Sequence, residues 1–470
     1  MPLLTKEAKP KSGRTRGKSA TSELLRILAR NHAGAQAGIY SICSANRYVL
    51  EAGMMQASRD GSLLCIESTS NQVNQFGGYA GQTPRDFAAF VSTLAREMKF
   101  PPENILLGGD HLGPHVWRAE KADSAMGKAC DLVKSCIVAG YTKIHLDASM
   151  HCADDPGDRR KPLAEEAVSA RAAELCKAAE DAYQDLPPGS PAPLYVIGTE
   201  VPVPGGEQAE MRVSETTKTV DLGRTLELAK NAFSSRKLQG AWERVIAVVV
   251  QPGVEFGYDR ILPYNRERAR LLSRYARARW KRAYEAHSTD FQTLSALRHM
   301  VQDHFAILKV GPWLTFAFRE AVFALASIER EWLGSKRKNT LSRVAEALEQ
   351  AMLGDASHWS AYYHGDDEAI QFARKYSYSD RSRYYWPQPA VAAALKQLLG
   401  NLSENPAPLP LVSQYLPNQA AAIREGRLQK RPLDLIHSKI LEVLDIYAKA
   451  CGFQAGEDKR QNVERKMGAC

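Results

Sequence analysis

The sequence lacks several short motifs by which nucleotide and metal sites are recognised. It contains no GxxxxGK[ST] phosphate loop and no GxGxxG fingerprint, which argues against a P-loop kinase and against a resident nicotinamide cofactor. No two cysteines form a CxxC pair, which excludes a structural zinc site of that type. No uninterrupted apolar run approaches the length of a membrane-spanning helix, so we expect no membrane association.

Cysteine is sparse, with eight residues in a chain of 470. Cys43 and Cys65 lie inside apolar runs, which is typical of reduced core thiols and favours a cytoplasmic protein. The formal net charge is +9, but much of it is concentrated in the basic leader, residues 1–20. The leader cannot bury apolar surface, so we expect it to be disordered. It also lacks the apolar core of a secretion signal, so we expect no export. The remaining charge suits anionic substrates such as sugar phosphates, and we predict no nucleic-acid partner.

Strand and helix patterns alternate along residues 21–333. Strands are predicted at Gly38–Cys43, Leu63–Glu67, Ile105–Gly108, Lys143–Asp147, Tyr195–Glu200, Val245–Gln251, Arg282–Ala286 and Ala306–Val310. Eight strands alternating with helices predict an α/β fold, a (β/α)8 TIM barrel. From Arg319 onward only helical patterns occur, and Gly, Ser and Lys interrupt them near residues 334–338. We therefore expect a C-terminal helical region, residues 334–470, that packs on the barrel.

Polar residues directly follow nearly every predicted strand. The set comprises Ser44, Glu67, Thr69, Asp110, His111, Asp147, Ser149, Glu200, Gln251, His287, Ser288 and Lys309. Each of them alone is also typical of a turn, but the carboxyl ends of barrel strands meet at one mouth, so the set favours an active site there. His145 lies inside the fourth strand and is predicted to be a hydrogen-bonded core histidine.

Imidazole and carboxylate groups from different strands are the donors that a catalytic metal needs. His111, Glu200 and His287 are the candidate metal ligands, and a hydrogen-bonded set without metal is the alternative. Asp110 and Asp147 are the candidate proton-transfer residues, because a carboxylate in a desolvated mouth can be tuned towards neutral pH. Either of them could instead orient a histidine.

Phosphate binding needs backbone N–H groups, small residues and cations. TIM barrels often hold phosphate after the seventh and eighth strands, where Ser288, Thr289, Lys309 and Gly311 are found. These four residues are the candidate phosphate ligands, and Arg319 is a possible helper.

Two further stretches could contact a sugar. In Asn71–Tyr79 the side chains of Asn71 and Gln75 can hydrogen-bond hydroxyls in both directions, although the stretch is also typical of a turn-rich loop. Arg383 belongs to a basic and aromatic cluster, residues 381–386, which is either a packed interface or a lid that reaches a substrate phosphate.

Several long motifs along the chain resemble one known family. They are Glu67-Ser-Thr-Ser-Asn-Gln-Val-Asn-Gln-Phe-Gly-Gly-Tyr79, Gly108-Gly-Asp-His-Leu-Gly-Pro114, Lys143-Ile-His-Leu-Asp-Ala-Ser-Met150, Gly198-Thr-Glu-Val-Pro-Val-Pro-Gly-Gly-Glu207, Val249-Val-Gln-Pro-Gly-Val-Glu-Phe256, Tyr284-Glu-Ala-His-Ser-Thr-Asp290, His304-Phe-Ala-Ile-Leu-Lys-Val-Gly-Pro312 and Ser413-Gln-Tyr-Leu-Pro417. The chain resembles the GatZ/KbaZ family of tagatose-bisphosphate aldolase accessory subunits, which is similar to the zinc-dependent class II aldolase barrels.

The resemblance implies roles for particular residues. The catalytic aspartate and the metal histidine of class II aldolases map onto Asp110 and His111, and further metal-site positions map onto Glu200 and His287. Gln251 stands where those aldolases have another metal histidine, and we expect it to bind a substrate hydroxyl. The implied cofactor is a divalent metal ion, zinc or else manganese or magnesium.

Two roles are compatible with this resemblance. In the first, the chain is a D-tagatose 6-phosphate 4-epimerase that forms D-fructose 6-phosphate from its sugar phosphate substrate. In the second, it is a non-catalytic accessory subunit of a class II aldolase catalytic subunit. C4 of a 2-ketose is not adjacent to the carbonyl, so epimerisation without a nicotinamide requires aldol cleavage and re-addition. We favour the epimerase, with a sugar-phosphate kinase as a third option, and a homo-oligomer is possible in each case.

Overall fold

The computed structural model describes residues 19–159, 161–198, 216–335 and 340–453. Its strands are β1 Ile39–Ile42, β2 Leu64–Thr69, β3 Ile105–Leu112, β4 Lys143–Leu146, β5 Leu194–Ile197, β6 Val245–Val249, β7 Glu255–Phe256, β8 Ile261–Leu262, β9 Ala283–Ala286 and β10 Ile307–Val310. Eight of them form a closed parallel barrel in the order β1-β10-β9-β6-β5-β4-β3-β2, and β7 and β8 form an antiparallel pair. The predicted TIM barrel is confirmed.

The helices surround the barrel and continue beyond its last strand. They are α1 Ala20–His32, α2 Arg47–Asp60, α3 Pro84–Glu97, α4 Ala122–Val138, α5 Glu165–Gln184, α6 Thr219–Ser235, α7 Gln239–Trp242, α8 Arg266–Tyr275, α9 Leu294–Gln302, α10 Pro312–Leu333, α11 Val344–Gly354, α12 Asp367–Tyr376, α13 Pro389–Glu404, α14 Leu409–Tyr415, α15 Pro417–Arg424 and α16 Pro432–Ala450. Among the described helices, none is both long and apolar enough to cross a bilayer.

Helix α2 was not predicted from the sequence, because its buried face is not uniformly apolar. Glu51 and Gln56 are buried on this helix among apolar residues, so the helical hydrophobic period is obscured. The Glu51 carboxylate is paired within the fold, with Arg47 on the same helix at 2.7 Å and with His437 of α16 at 2.9 Å. Tertiary pairing, rather than a local pattern, therefore permits this polar face to be buried.

The amino-terminal end of the barrel is closed by α1. Leu24 and Ile27 of this helix pack against the first inward-facing residues of the strands, including Ile39, Leu194 and Ile307. Ser19 caps α1 by accepting a hydrogen bond from the backbone N–H of Ser22, so the cap lies before the predicted Thr21 or Ser22. Residues 1–18 of the basic leader lie outside the described part of the chain.

The last long helix, α16, returns to the barrel wall and packs against α2, α9 and α10. Its residues Ile436, Ile440 and Leu444 are fully buried or nearly so, and they belong to the same core as the outer faces of the strands. A helix from the C-terminal region therefore contributes to the barrel's outer layer. The predicted division of the chain near residue 334 stays a prediction.

Candidate active site

The carboxyl end of β3 brings Asp110 and His111 into the barrel mouth. The backbone before them needs glycine, because a Cβ atom on Gly108 would lie 2.9 Å from the Glu67 carboxylate and from the Lys143 carbonyl. The pairing of β3 with β4 shifts register between Gly109 and Leu112, and His111 has a positive φ of 49°. This irregular strand end directs the side chains of Asp110 and His111 towards the barrel axis. A non-glycine residue with left-handed backbone angles, such as His111, is found most often at functional sites.

Below the mouth, two buried ammonium groups bridge buried carboxylates. Lys143 Nζ lies 2.6 Å from Glu67 Oε1 and 2.6 Å from Glu285 Oε2, and all three side chains are fully buried. Lys309 Nζ contacts Glu67 and lies 2.9 Å from Asp110 Oδ1 and 3.4 Å from Glu285 Oε1. Charges out of water are tolerated only when they are paired in this way.

Three imidazoles lie above this charged layer. The ring centroids of His111, His145 and His287 are 4.8–5.2 Å apart. His145 Nδ1 lies 2.8 Å from Asp110 Oδ1, and His287 Nε2 lies 3.1 Å from Glu285 Oε1. Each imidazole except that of His111 therefore contacts a carboxylate of the charged layer at hydrogen-bonding distance.

His111 has its own carboxylate partner. Its Nδ1 lies 2.8 Å from Asp147 Oδ2, and the other oxygen of Asp147 accepts a hydrogen bond of 2.6 Å from the Ser149 hydroxyl. Although burial opposes it, the carboxylates of Asp110 and Asp147 raise the pKa of His111. Burial also opposes ionisation of Asp147, yet its hydrogen bond to His111 holds the pKa of this carboxyl well below its usual range. The pair is thus a protonatable histidine oriented by an aspartate.

Three further groups of the mouth, His287, Asp110 and Lys309, have shifted pKa values. Burial lowers the pKa of His287 to about 4, so its imidazole is neutral at pH 7. Burial opposes the charged form of Asp110, but His111 and Lys309 hold the pKa of this carboxyl well below its usual range. Lys309 is likewise kept protonated, because Asp110 and Glu285 raise its pKa despite burial.

A divalent metal ion fits one cluster of these residues. Asp110, His145, Glu285 and His287 are buried, and each offers a ligand atom within 4.8 Å of the others. His145 Nε2 is buried and has no hydrogen-bond partner among the residues that the structure describes, as expected for an imidazole nitrogen reserved for a metal. The mouth also has a formal negative excess, because Glu67, Asp110, Asp147 and Glu285 outnumber the two lysines that face them. The donor types, two imidazoles and two carboxylates, suit zinc or manganese.

The predicted metal set agrees with this cluster in part. His287 belongs to both sets, whereas the geometric cluster contains His145, a buried and hydrogen-bonded histidine as expected, and does not contain His111. Metal binding by any of these residues stays a prediction. His111 stands beside the cluster with its Nε2 3.7 Å from Asp110 Oδ2. Glu200 lies outside the described residues.

A cleft with an open volume of about 610 Å³ leads to these residues. Its lining includes eight of the predicted site residues, namely Asn71, Asp110, His111, His287, Ser288, Lys309, Gly311 and Arg383. It also includes Thr69, which belongs to the polar set after the predicted strands, and Tyr384, which belongs to the 381–386 cluster. The lining residues that we did not single out are Cys43, Gln72, Tyr79, Phe256, Asp290, Val310 and Pro312. The N- and C-terminal parts of the chain thus enclose one space.

Four predicted substrate residues are not on this lining. The Gln75 amide donates to the Lys128 carbonyl at 2.9 Å, and the Gln251 backbone exchanges hydrogen bonds with Thr217. Thr289 is fully buried, and its hydroxyl donates to the Lys309 carbonyl at 2.5 Å. Arg319 is also absent from the lining.

The environment of Arg319 explains why it cannot serve the cleft. Its Nε donates to Asp380 at 3.0 Å, and its guanidinium carbon lies 4.3 Å from the centroid of the Phe316 ring. The side chain is almost fully buried, so a structural contact between α10 and the C-terminal region replaces the predicted phosphate contact.

The Arg381–Tyr384 helical turn covers one side of the cleft. Tyr384 packs edge-on against Tyr79 with centroids 4.5 Å apart, and His358 stacks on its other face at 4.5 Å. Arg383 donates to the Tyr384 hydroxyl at 3.1 Å. Burial opposes it, but Arg383 and Arg381 lower the pKa of Tyr384. Of the two interpretations of this cluster, the position of Arg383 favours the one in which it reaches into the site.

Two members of the charged layer, Lys143 and Glu285, were not singled out from the sequence. Lys143 is the first residue of β4 and Glu285 lies inside β9, and alternation puts them on the same faces as His145 and His287. The signal that could have identified Glu285 is a charged residue between apolar neighbours inside a buried strand, and for Lys143 it is the spacing of two residues from His145. The cluster of residues 381–386, which includes Tyr384, was recognised in the sequence, but its contact with Tyr79 depends on how the C-terminal region folds over the barrel.

Comparison with known proteins agrees with this architecture. Residues 24–452 match the family model described as "D-tagatose-1,6-bisphosphate aldolase subunit GatZ/KbaZ-like". A Sinorhizobium meliloti 1021 protein described as a "probable tagatose 6 phosphate kinase" has a solved structure with 43% sequence identity and a TM-score of 0.79. That similarity covers 88% of this chain and 100% of the relative.

More distant matches include two aldolases. The Escherichia coli K12 YdjI aldolase is 9% identical, with a TM-score of 0.38, over 82% of this chain and 98% of its own. A Campylobacter jejuni fructose-bisphosphate aldolase is 12% identical, with a TM-score of 0.41, over 82% of this chain and 93% of its own. These two similarities are too low to support an inference about ligands or activity. The family model, which matches nearly all of the chain after the leader, shows that the protein belongs to the GatZ/KbaZ-like family.

Proposed function

We propose that the chain is a sugar-phosphate epimerase that interconverts D-tagatose 6-phosphate and D-fructose 6-phosphate by cleaving and re-forming the C3–C4 bond. The observation that carries the proposal is the position of the His111–Asp147 pair, a proton-transfer unit directly beside a buried cluster of four metal-type donors. Both are on or next to the lining of one cleft, so a single ketose can contact them together.

The reaction needs no oxidant. A base removes the proton from the C4 hydroxyl, the C4–O bond becomes a carbonyl, and the electrons of the C3–C4 bond pass into an enediolate over C2 and C3. The aldehyde fragment rotates so that its opposite face is presented to C3. C3 then attacks that face, and the proton returns to the oxygen on C4. Each step is reversible, and the atoms of substrate and product are the same.

The chain's own residues can supply these steps. A divalent cation bound by Asp110, His145, Glu285 and His287 would stabilise the negative charge of the enediolate. His111 takes and returns the C4 hydroxyl proton, and Asp147 holds its imidazole in the required tautomer and orientation. Asp110, which we expected to transfer protons, is a better donor to the cation, because its low pKa makes it a weak base.

The rest of the cleft binds the substrate. Asn71 offers an amide to sugar hydroxyls. Arg383 also lines the cleft and would attract the substrate phosphate by its charge, although its Nη1 donates to the carbonyls of Ser379 and Asp380 and its Nη2 donates to the Tyr384 hydroxyl. Tyr79 and Tyr384 close the cleft from the C-terminal side and limit the access of water to the enediolate. The reduced buried cysteines favour the cytoplasm as the compartment.

The accessory-subunit role is a second candidate, and one observation favours it. The Lys309 ammonium lies against Asp110 and Glu285, two of the donors that a metal would need. If this lysine holds those carboxylates permanently, the mouth is a stabilised charge network, and the protein serves a separate class II aldolase subunit.

The test is direct turnover by the purified protein. We expect metal-loaded protein given tagatose 6-phosphate to form fructose 6-phosphate, and a chelator to stop it. In D2O the hydrogen on C4 should be retained, since cleavage of C3–C4 leaves that bond intact. An aldehyde trap should capture glyceraldehyde 3-phosphate.

Other outcomes would point elsewhere. Inactive protein that raises the activity of an added class II aldolase would establish the accessory role and end our proposal. Consumption of ATP with tagatose 6-phosphate would instead identify a kinase, the activity that is named in the description of the Sinorhizobium relative.

A further inference from the structure

The N-terminus of α10 is the place where this fold would bind phosphate, and its donors are already used. Helix α10 follows the last barrel strand and begins at Pro312, which has no N–H group. The backbone N–H groups of Gly311 and Trp313 both donate to Asp290 Oδ1, at 3.0 and 2.8 Å. The next N–H, from Leu314, donates to the Gly311 carbonyl at 3.1 Å. A side-chain carboxylate thus occupies the helix end in the way a phosphate oxygen would.

The other cationic and hydroxyl groups beside α10 are engaged as well. The Lys309 ammonium points down into the charged layer of the barrel, and the Thr289 hydroxyl donates to a backbone carbonyl. Asp290 itself lies on the cleft lining and is 3% exposed. A phosphate placed here would find Ser288 as a donor and the Asp290 carboxylate as a close like charge.

The chemistry of the proposed reaction decides which end of the ketose meets Asp290. The C2 carbonyl oxygen belongs at the donor cluster, because the enediolate forms there, and C1 is bonded to C2. Asp290 follows the donor His287 by three residues in the loop after β9, and we therefore assign C1 and its substituent to the side of this loop. In this assignment C6 is on the side of Arg383, which lines the same cleft.

We propose that Asp290 is a specificity-determining residue that accepts a hydrogen bond from a free C1 hydroxyl and rejects a ketose phosphorylated at C1. This inference rests on the proposed 4-epimerase, and it restricts the substrate class to ketoses with an unmodified C1, such as ketohexose 6-phosphates. Ketohexose 1-phosphates and 1,6-bisphosphates are excluded. The chain therefore differs in substrate from an enzyme that cleaves a bisphosphate.

The experiment measures binding, so that it does not depend on turnover. Fructose 6-phosphate, fructose 1-phosphate and fructose 1,6-bisphosphate are titrated into metal-loaded protein by calorimetry. Because like charges brought together in a cleft repel one another, we expect the 6-phosphate to bind about 100-fold more tightly than the other two. Equal or tighter binding of the 1-phosphate or the bisphosphate would overturn the proposal.

Two variants sharpen the result. Asp290→Ser removes the carboxylate and frees both N–H groups, so its affinity for the 1-phosphate should rise about tenfold or more. Asp290→Asn keeps an oxygen for the N–H groups and removes only the charge, so a smaller gain is expected, and it serves as the test if the serine variant does not fold. Asp259→Asn, the same charge change on a residue outside the cleft lining, should leave all three affinities unaltered.

A 1-phosphate affinity that falls or stays constant in both Asp290 variants contradicts the assignment. Selective binding of the 6-phosphate without any epimerisation would instead contradict the proposed function and leave the role of Asp290 standing.

Discussion

The two halves of the barrel interior differ in what the same strands present to the axis. At the amino-terminal end β10 presents Ile307 and β9 presents Ala283, in an apolar layer closed by α1. Two residues further along, on the same faces, the strands present Lys309 and Glu285, and the interior becomes charged. The apolar layer at the amino-terminal end stabilises the fold by burial of hydrophobic side chains. The charged layer at the carboxyl end costs free energy of desolvation, and it holds charges in fixed positions for chemistry.

The largest effect should come from breaking the charged layer at Lys143. In Lys143→Met, Glu67 and Glu285 lose their shared ammonium, and the free energy of unfolding should fall by about 3–5 kcal/mol. Urea denaturation measures the change. Ile144→Val alters the neighbouring, outward-facing side chain of the same strand and should cost about 0.5–1.5 kcal/mol. A loss in the lysine variant no larger than that of the control would show that the layer is not an essential ion-pair network.

The second prediction concerns the donor cluster. His287→Ala removes one donor, so kcat/KM for the proposed epimerisation should fall about 100-fold or more. A chelator should lower wild-type activity to a similar degree and have little additional effect on the variant. His32→Ala, at the opposite end of the barrel, should keep full activity. A wild-type enzyme that is equally active after chelation, with no metal by elemental analysis, would refute the metal site.

The third prediction uses the pKa of Asp290, which burial raises to about 6. A carboxyl group with a raised pKa in the folded state stabilises the protein at pH values below its unfolded pKa, near 4, and loses this contribution as pH rises through 6. Compared with Asp290→Asn, the wild type should therefore lose up to about 3 kcal/mol of stability between pH 4 and pH 6. The comparison needs denaturation of both proteins across that range; a difference that does not change with pH would mean that Asp290 is ionised throughout.

The smallest effect is expected in the apolar layer. Ile307→Val removes one methyl group from a fully buried side chain, so it should cost about 0.5–1.5 kcal/mol and leave kcat within about twofold. Thermal unfolding and the epimerase assay check the two parts. A large loss of activity in Ile307→Val would show that packing in the apolar layer affects the geometry of the charged layer, although the two layers are two residues apart on each strand.

Much of the architecture could be predicted because its signals are local. The eight barrel strands are short apolar runs between turn residues, and each is found near its predicted place. Asp110, His111 and His287 were identified because they directly follow strands, and barrel geometry brings such positions together. Helix α2 was missed, since the polar partners of its buried face come from distant parts of the chain.

Phosphate binding shows the limit of such local reasoning. Ser288, Thr289, Lys309 and Gly311 follow the correct strands, yet the hydrogen-bonding groups of the last three have partners inside the protein. A sequence shows which donors exist, but it does not show which of them are still free. That depends on the side chains that surround each donor after folding.

Local patterning along the chain was thus sufficient to determine the alternation of strands and helices and the edge of the barrel at which chemistry occurs. Only the folded protein decided that His145 and Glu285 join Asp110 and His287, that Asp147 orients His111, and that Tyr384 closes the cleft. The physical reason is range. Secondary structure follows from residues a few positions apart, whereas pairing, burial and charge depend on groups that are distant in the chain and adjacent in space.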